Sequence, residues 1–244
     1  MIDGKLKDIY RQVFDNRTLC PMVGPVVGDP MVMHLKEDTK PFAIYVARSI
    51  PFAQEPFVEK ILINLVQQGI IGPVSDEVTK WCHPIVPVSK SNGDVRLCVD
   101  LTQLNTEVKR SIHPTKTPVQ AIAGFTPDQR FFAKLDLVKG YWQMHLAEES
   151  QHLTTFLTPF GKFKFLRSPM GIVSMGDFFS CRGDVAMAGL DIQKVVDDMA
   201  CGASSLPDLI RRVSDILERC HKYGLTVNLS KSVLASSSID FVGF

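Results

Sequence analysis

Lys194-Val195-Val196-Asp197-Asp198-Met199 is the stretch that decides how the rest of this chain is read. Valines favour extended, half-buried backbone and aspartates favour tight turns. The pattern therefore predicts a strand, an acidic turn and a second strand through Met199 and Ala200. Solvated turn chemistry is the ordinary use of an Asp-Asp pair, and a further acid upstream changes that reading. Phe131-Phe132-Ala133-Lys134-Leu135-Asp136 runs as an apolar strand ending in one carboxylate, with Gly140-Tyr141 close behind. A strand that delivers one acid beside a hairpin that delivers two builds a pocket of hard oxygen donors, which suits Mg²⁺ better than zinc. Two such ions can clamp the attacking and leaving oxygens of an in-line phosphoryl transfer.

A chain of 244 residues with 45% apolar content can bury a core as one large domain or two small ones. The formal net charge of +1 and a pI near 7.6 lack the strongly basic field of a freestanding nucleic-acid binder. Cys20, Cys82, Cys98, Cys181, Cys201 and Cys220 form no C-x-x-C pair and no zinc spacing with histidine, so they read as reduced thiols. The charged start, Met1-Ile2-Asp3-Gly4-Lys5, is unlike a signal peptide, and no apolar run reaches the length of a membrane span. The expectation is a soluble, intracellular, cytoplasmic protein with no membrane partner.

Prolines 21, 25, 30, 41 and 51 predict an extended N-terminal arm over 1–53. Phe57, Ile61 and Leu65 beside Val58, Leu62 and Val66 predict a helix from Pro56 to Gly69. Ile85 to Lys90 and Val95 to Val99 flank Asn92-Gly93, a hairpin signal, and present Lys90 and Arg96. Thr117-Pro118 opens a short helix. Trp142, Met144 and Leu146 alternate as a strand, and Thr154 to Phe156 and Phe163 to Leu166 flank the turn Pro159-Phe160-Gly161. Ser174 with Asp177, and Ser205 with Asp208, read as capping boxes. They open a helix reaching about Leu190 and another whose apolar stripe runs from Leu206 to Gly224. Leu225 to Asn228 and Ile239 to Phe244 read as closing strands.

The blocks HPIVPVSKSNGDVRLCVDLTQLN, FAKLDLVKGYWQ, LTTFLTPFGKFKF, SPMG, VVDD, GLTVNLSK and FVGF follow one another from His83 to Phe244. In that order they resemble the fingers and palm of reverse transcriptases (RNA-directed DNA polymerases), most closely those in gypsy-type LTR retrotransposon Pol polyproteins. The resemblance implies an α+β fold: a split βαβ, ferredoxin-like palm with helices on one face of an antiparallel sheet, plus a β-rich fingers subdomain. Fingers are expected over 54–109 and 144–174 and palm over 110–143 and 175–244, with the palm ending inside the primer grip and the thumb absent. An RNA or DNA template with its primer and dNTPs are the expected partners. The thumb, ribonuclease H and integrase domains of a parent polyprotein, and a virus-like particle for an active element, belong to the same expectation.

The same resemblance implies the site. Asp136 and Asp197 ligate two Mg²⁺ ions, with Mn²⁺ as an alternative, Asp198 supports them, and the Leu137 carbonyl adds a ligand. Lys90 and Arg96 hold the triphosphate, and Gly140 and Tyr141 offer it backbone N–H groups. The Tyr141 ring stands against the sugar and excludes a 2′-hydroxyl. Met170 and Gly171 carry the turn under the templating pair, and Lys231 protonates the leaving pyrophosphate. Two positions depart from the family's pattern: Val195 stands where most members carry an aromatic residue, and Met170 where retroviral members carry glutamine. The rival readings are a catalytically idle or domesticated fragment that binds nucleic acid or a protein, and an RNA-recognition module on the same sheet. The latter needs stacking aromatics where this chain places acids.

Overall fold

The computed structural model describes residues 8, 25–75, 78–89, 95–228 and 230–244. Lys90 and the Asn92-Gly93 turn lie outside them. In chain order the elements are α1 (Glu55–Gln67), β1 (Ile71–Pro73), β2 (His83–Ser89), β3 (Val95–Val99), α2 (Thr102–Glu107), α3 (Pro118–Ile122) and β4 (Phe131–Asp136). There follow α4 (Glu148–Gln151), β5 (Phe156–Thr158), β6 (Gly161–Phe165), α5 (Met175–Ala186), β7 (Gln193–Val195), β8 (Asp198–Ala203), α6 (Leu206–Tyr223) and β9 (Val233–Ser236). The chain divides into two compact units, one of residues 1–28, 112–143 and 176–244, the other of 29–111 and 144–175.

The second unit is built on a five-stranded sheet of order β1-β6-β5-β2-β3. β2 runs parallel to β5 and antiparallel to β3, with Ile85 opposite Val99 and Ser89 opposite Val95. Arg96 is exposed on β3 opposite Val88. α1 carries proline in its first turn and buries Val58, Leu62 and Leu65, and Gly69 beyond its end takes φ +62°. Residues 25–51 contribute isolated bridges, such as Leu35 with Val108 and Ala43 with Cys82, and a 3-10 turn at Phe52–Gln54 leads into α1.

The first unit holds an antiparallel sheet of order β7-β8-β4-β9. β4 buries Ala133 and Leu135 and leaves Lys134 and Asp136 half-buried, as a two-residue side-chain period requires. α6 buries Leu209, Val213, Ile216, Leu217 and Cys220 and packs across β8, β4 and β9. Gly224 ends it at φ +69°, where an added Cβ would strike the Pro25 carbonyl oxygen. Among the described residues no helix is long and apolar enough to cross a membrane. The described cysteines are free, and burial pushes the Cys201 and Cys220 thiols up to about 12.

Several elements differ from expectation. Gly140–Gln143 forms a 3-10 turn. Met144 onward is extended only in isolated bridges, so the alternation of Trp142, Met144 and Leu146 is not a strand. Thr154 closes another 3-10 turn, and its strand begins at Phe156. α5 stops at Ala186, short of Leu190. Only half of the Ser205 box forms: its hydroxyl accepts from the Asp208 N–H and donates to the Asp208 carboxylate. A complete box stands instead at Thr117 and Gln120. The closing strand is β9, paired with β4. Residues 239–244 form a loop that seats Phe241 among Ala121, Ala200 and Phe125.

Candidate active site

The predicted acids meet where the register of the four-stranded sheet brings strand ends together. Asp136, last on β4, lies directly opposite Asp198, first on β8, and Val195 closes the hairpin opposite the same Asp198. Val196 and Asp197 are the two loop residues. Val196 takes φ +54°, a left-handed conformation that is costly for a β-branched residue. The Asp197 carbonyl accepts from the Leu137 N–H at 3.3 Å, so hairpin tip and β4 end are tied by backbone.

A polar clasp holds the end of β4. The Ser232 hydroxyl accepts from the Asp136 N–H at 3.2 Å and donates to the Asn228 carbonyl at 2.7 Å, while the Asn228 N–H donates to the Asp136 carbonyl at 2.7 Å. The same turn delivers Lys231, whose Nζ stands 3.7 Å from Asp136 Oδ2. Gln143, fully buried, donates to the carbonyls of Val138 and Thr226 and accepts from the Thr226 N–H. It thereby braces the loop after Asp136. A second lysine serves Asp198: Lys134 Nζ lies 3.4 Å from its Oδ1. Sequence reasoning passed over Lys134, Ser232 and Gln143. For Lys134 the signal was present, since residues two apart on a strand share a face with Asp136.

Burial raises the Asp136 carboxyl above its ordinary value. Lys231 opposes that shift, the Asp198 and Asp197 charges add to it, and Lys134 opposes it. Tyr141 is half-buried on the 3-10 turn, edge-on to Phe179 with ring centroids 5.7 Å apart. Burial, then the Asp197 charge, raises its phenol. Gly140 makes this possible, because a Cβ there would come within 2.8 Å of the Phe179 ring. Asp136, Leu137, Gly140, Tyr141, Asp197, Asp198 and Lys231 thus share the first unit. Arg96, Met170 and Gly171 belong to the second. There Gly171 takes φ +96°, and Asn105 pins its turn by donating to the Gly171 carbonyl and accepting from the Val173 N–H.

A sequence model of the family described as reverse transcriptase (RNA-dependent DNA polymerase) matches residues 88–244, well over half of the chain. The chain belongs to this family. One relative is an uncharacterized protein of Caenorhabditis elegans, 31% identical over 81% of this chain and 16% of its own. Another is a retrovirus-related Pol polyprotein from transposon opus of Drosophila melanogaster, 26% identical over 92% of this chain and 23% of its own. A third, the Tf2-3 transposon polyprotein of Schizosaccharomyces pombe, is 27% identical over 99% of this chain and 18% of its own. The chain therefore spans less than a quarter of the length of these relatives. Among solved structures, the foamy viral protease-reverse transcriptase with an RNA/DNA hybrid superposes with a TM-score of 0.86 at 20% identity, over 99% of this chain and 32% of that one. The same enzyme with double-stranded DNA gives 0.85 at 21% identity, over 99% and 41%. This likeness establishes the reverse transcriptase palm and fingers fold.

The family implies a divalent cation, and the donors of this reverse transcriptase domain fit one. Like charges directly opposite across a sheet destabilise it, and the acids at 136 and 198 stand so placed, with that at 197 adjoining. Hard carboxylate oxygens around a self-repelling site suit Mg²⁺ or Mn²⁺. Among the described residues, no three such side chains converge into a closed metal cage. Asp136 instead faces the Lys231 ammonium at 3.7 Å and Asp198 that of Lys134 at 3.4 Å.

Proposed function

We propose that this chain is the polymerase core of a retroelement reverse transcriptase of the gypsy-type LTR class, adding dNTPs to a primer 3′-hydroxyl on an RNA or DNA template. The observation that carries the reading is the register that sets Asp136 opposite Asp198 with Asp197 at the adjoining hairpin tip. No structural need calls for that concentration of negative charge, whereas phosphoryl transfer does. Asp136, Asp197, Asp198 and the Leu137 carbonyl are the groups to hold the divalent ions. Those ions, when bound, neutralise the triphosphate and lower the barrier to attack at the α-phosphorus.

The remaining roles belong to the chain's own side chains. Tyr141, fixed edge-on by Phe179, bars a 2′-hydroxyl by bulk. Gly140 and Tyr141 offer backbone N–H groups to the triphosphate. Lys90 and Arg96 are the cations assigned to the triphosphate, Met170 and Gly171 the residues assigned to the templating base pair, and Lys231 the proton donor to pyrophosphate. On this reading residues 54–109 and 144–174 act as fingers and 110–143 and 175–244 as palm. The protein works in the cytoplasm beside the thumb, ribonuclease H and integrase of a polyprotein. A second reading, a domesticated fragment that binds without catalysis, draws on the lysines paired with Asp136 and Asp198. Primer extension on an RNA template with Mg²⁺ separates the two: labelled products support the polymerase, and none at any Mg²⁺ or Mn²⁺ concentration favours the fragment.

A further inference from the structure

The acidic pair carries two ammonium groups that differ in kind. Lys231 approaches Asp136 from a solvent-facing turn, with 67% of its side chain exposed. Lys134 rises from β4 itself, on the face it shares with Asp136, with 23% exposed. Its Nζ lies 3.4 Å from Asp198 Oδ1 and donates to the Asp240 carbonyl at 3.1 Å. A charge on a half-buried strand is screened less by salt and water than one on a mobile surface stem. It also loses less side-chain freedom on pairing than an exposed lysine does. Asp197 makes no ion pair among the described residues.

We propose that Lys134 is a resident counter-cation of the acidic pair: it holds Asp198 while the site is empty, and a divalent ion must displace it to bind. The proposal rests on the metal-binding reading above and extends it to a residue outside the ligand set. Two features make the exchange feasible. At 3.4 Å from Asp198 Oδ1 the ammonium and a cation arriving at that carboxylate compete for one charge. The Asp240 carbonyl gives the ammonium a hydrogen-bond acceptor to retain once the carboxylate turns away. Lys134 is thus a positioning residue that sets the affinity of the site, acting through Asp198 and not on substrate.

Direct Mn²⁺ binding to the full chain without nucleic acid, followed by the electron paramagnetic resonance of free Mn²⁺, tests this. Lys134→Met should bind Mn²⁺ roughly fivefold more tightly than the parent, about the worth of one partly buried ion pair. Lys134→Gln should do the same while keeping a donor for Asp240, so the test stands if the Met variant fails to fold. Lys134→Arg, which keeps the charge, should stay near the parent, and Lys231→Met should change affinity less than Lys134→Met. A general loss of structure weakens binding, so tightening distinguishes this role from a purely structural one. Unchanged or weaker Mn²⁺ binding in folded Lys134→Met or Lys134→Gln overturns the proposal. The metal-site reading fails separately: a parent that binds no Mn²⁺, or an Asp136→Asn variant that binds it as the parent does, removes that reading and this inference with it.

Discussion

On the proposed reading the chemistry turns on single side chains, Asp136 and Asp198 first, where two strand ends oppose. Asp136→Asn keeps the shape of the residue and its backbone clasp with Ser232 and Asn228 but removes one charge. Primer extension should fall by about a thousandfold or more, which corresponds to about 4 kcal/mol in the barrier; a near-parental rate in a single-turnover assay would refute the assignment. Tyr141 has a different task. Its ring is held by Phe179 over a glycine that admits no Cβ, so its position is set by packing. Tyr141→Val should therefore lower the ratio of kcat/KM for dGTP over GTP by about tenfold or more, in the range of a lost steric contact. An unchanged ratio in a folded variant would return the tyrosine to a core role. The order of motifs names the three acids and Tyr141, and all four fall in the first unit. Ser232 was not legible in the sequence, because it acquires its partner only through a turn that brings residue 232 back to residue 136; for Lys134 the face it shares with Asp136 was legible, and its pairing with Asp198 comes only with strand register.

Elements whose stability comes from a repeated apolar stripe were the ones the sequence announced: α1, α6 and the buried alternation of β4. Elements fixed by one tertiary contact were misread. Residues 239–244 have the apolar content of a strand yet serve as a plug, since Phe241 fills a hollow between α3 and the sheet. β9 is short and follows a serine, and only its pairing with β4 makes it a strand. A further element-level device joins α5 to β7. Lys194, with 7% of its side chain exposed, pairs with Asp184 at 3.0 Å, and Asp184 also receives His113 Nε2 at 2.7 Å. Burial alone would raise the Asp184 carboxyl, but the hydrogen bonds and charges of His113 and Lys194 outweigh it and hold it below the usual carboxylate range. A depressed carboxylate stabilises the fold above its unfolded pKa, and that contribution is lost as pH falls through the lower folded value. Asp184→Asn leaves the buried Lys194 ammonium poorly compensated. It should cost about 2 kcal/mol at pH 7, reduced from the fully buried case because Asp184 is half exposed. The difference from the parent should shrink below about pH 4. Urea midpoints at pH 7 and pH 3.5 check both parts, and an equal loss at the two pH values would contradict the pairing.

Across the whole molecule, a formal charge of +1 gives little general attraction for a polyanion. Binding of a primer-template by this chain should therefore rest on a few local cations. Fluorescence anisotropy over a salt series should give a log–log slope shallower than about −4, as for a protein that releases few counterions; a steeper slope would reveal a phosphate-binding track that composition conceals. The threading of the chain has a consequence in time as well as in space. β4 is one of the two inner strands of the four-stranded sheet, yet its neighbours β8 and β9 are made only after residues 144–175 of the other unit. A nascent chain emerging from the ribosome thus holds Phe131–Asp136 with both edges unmet until residue 203, and with one unmet until residue 236. Translation halted at residue 192 should leave that apolar strand to pair with copies of itself, yielding sedimenting aggregates, whereas chains reaching residue 244 should stay in the supernatant.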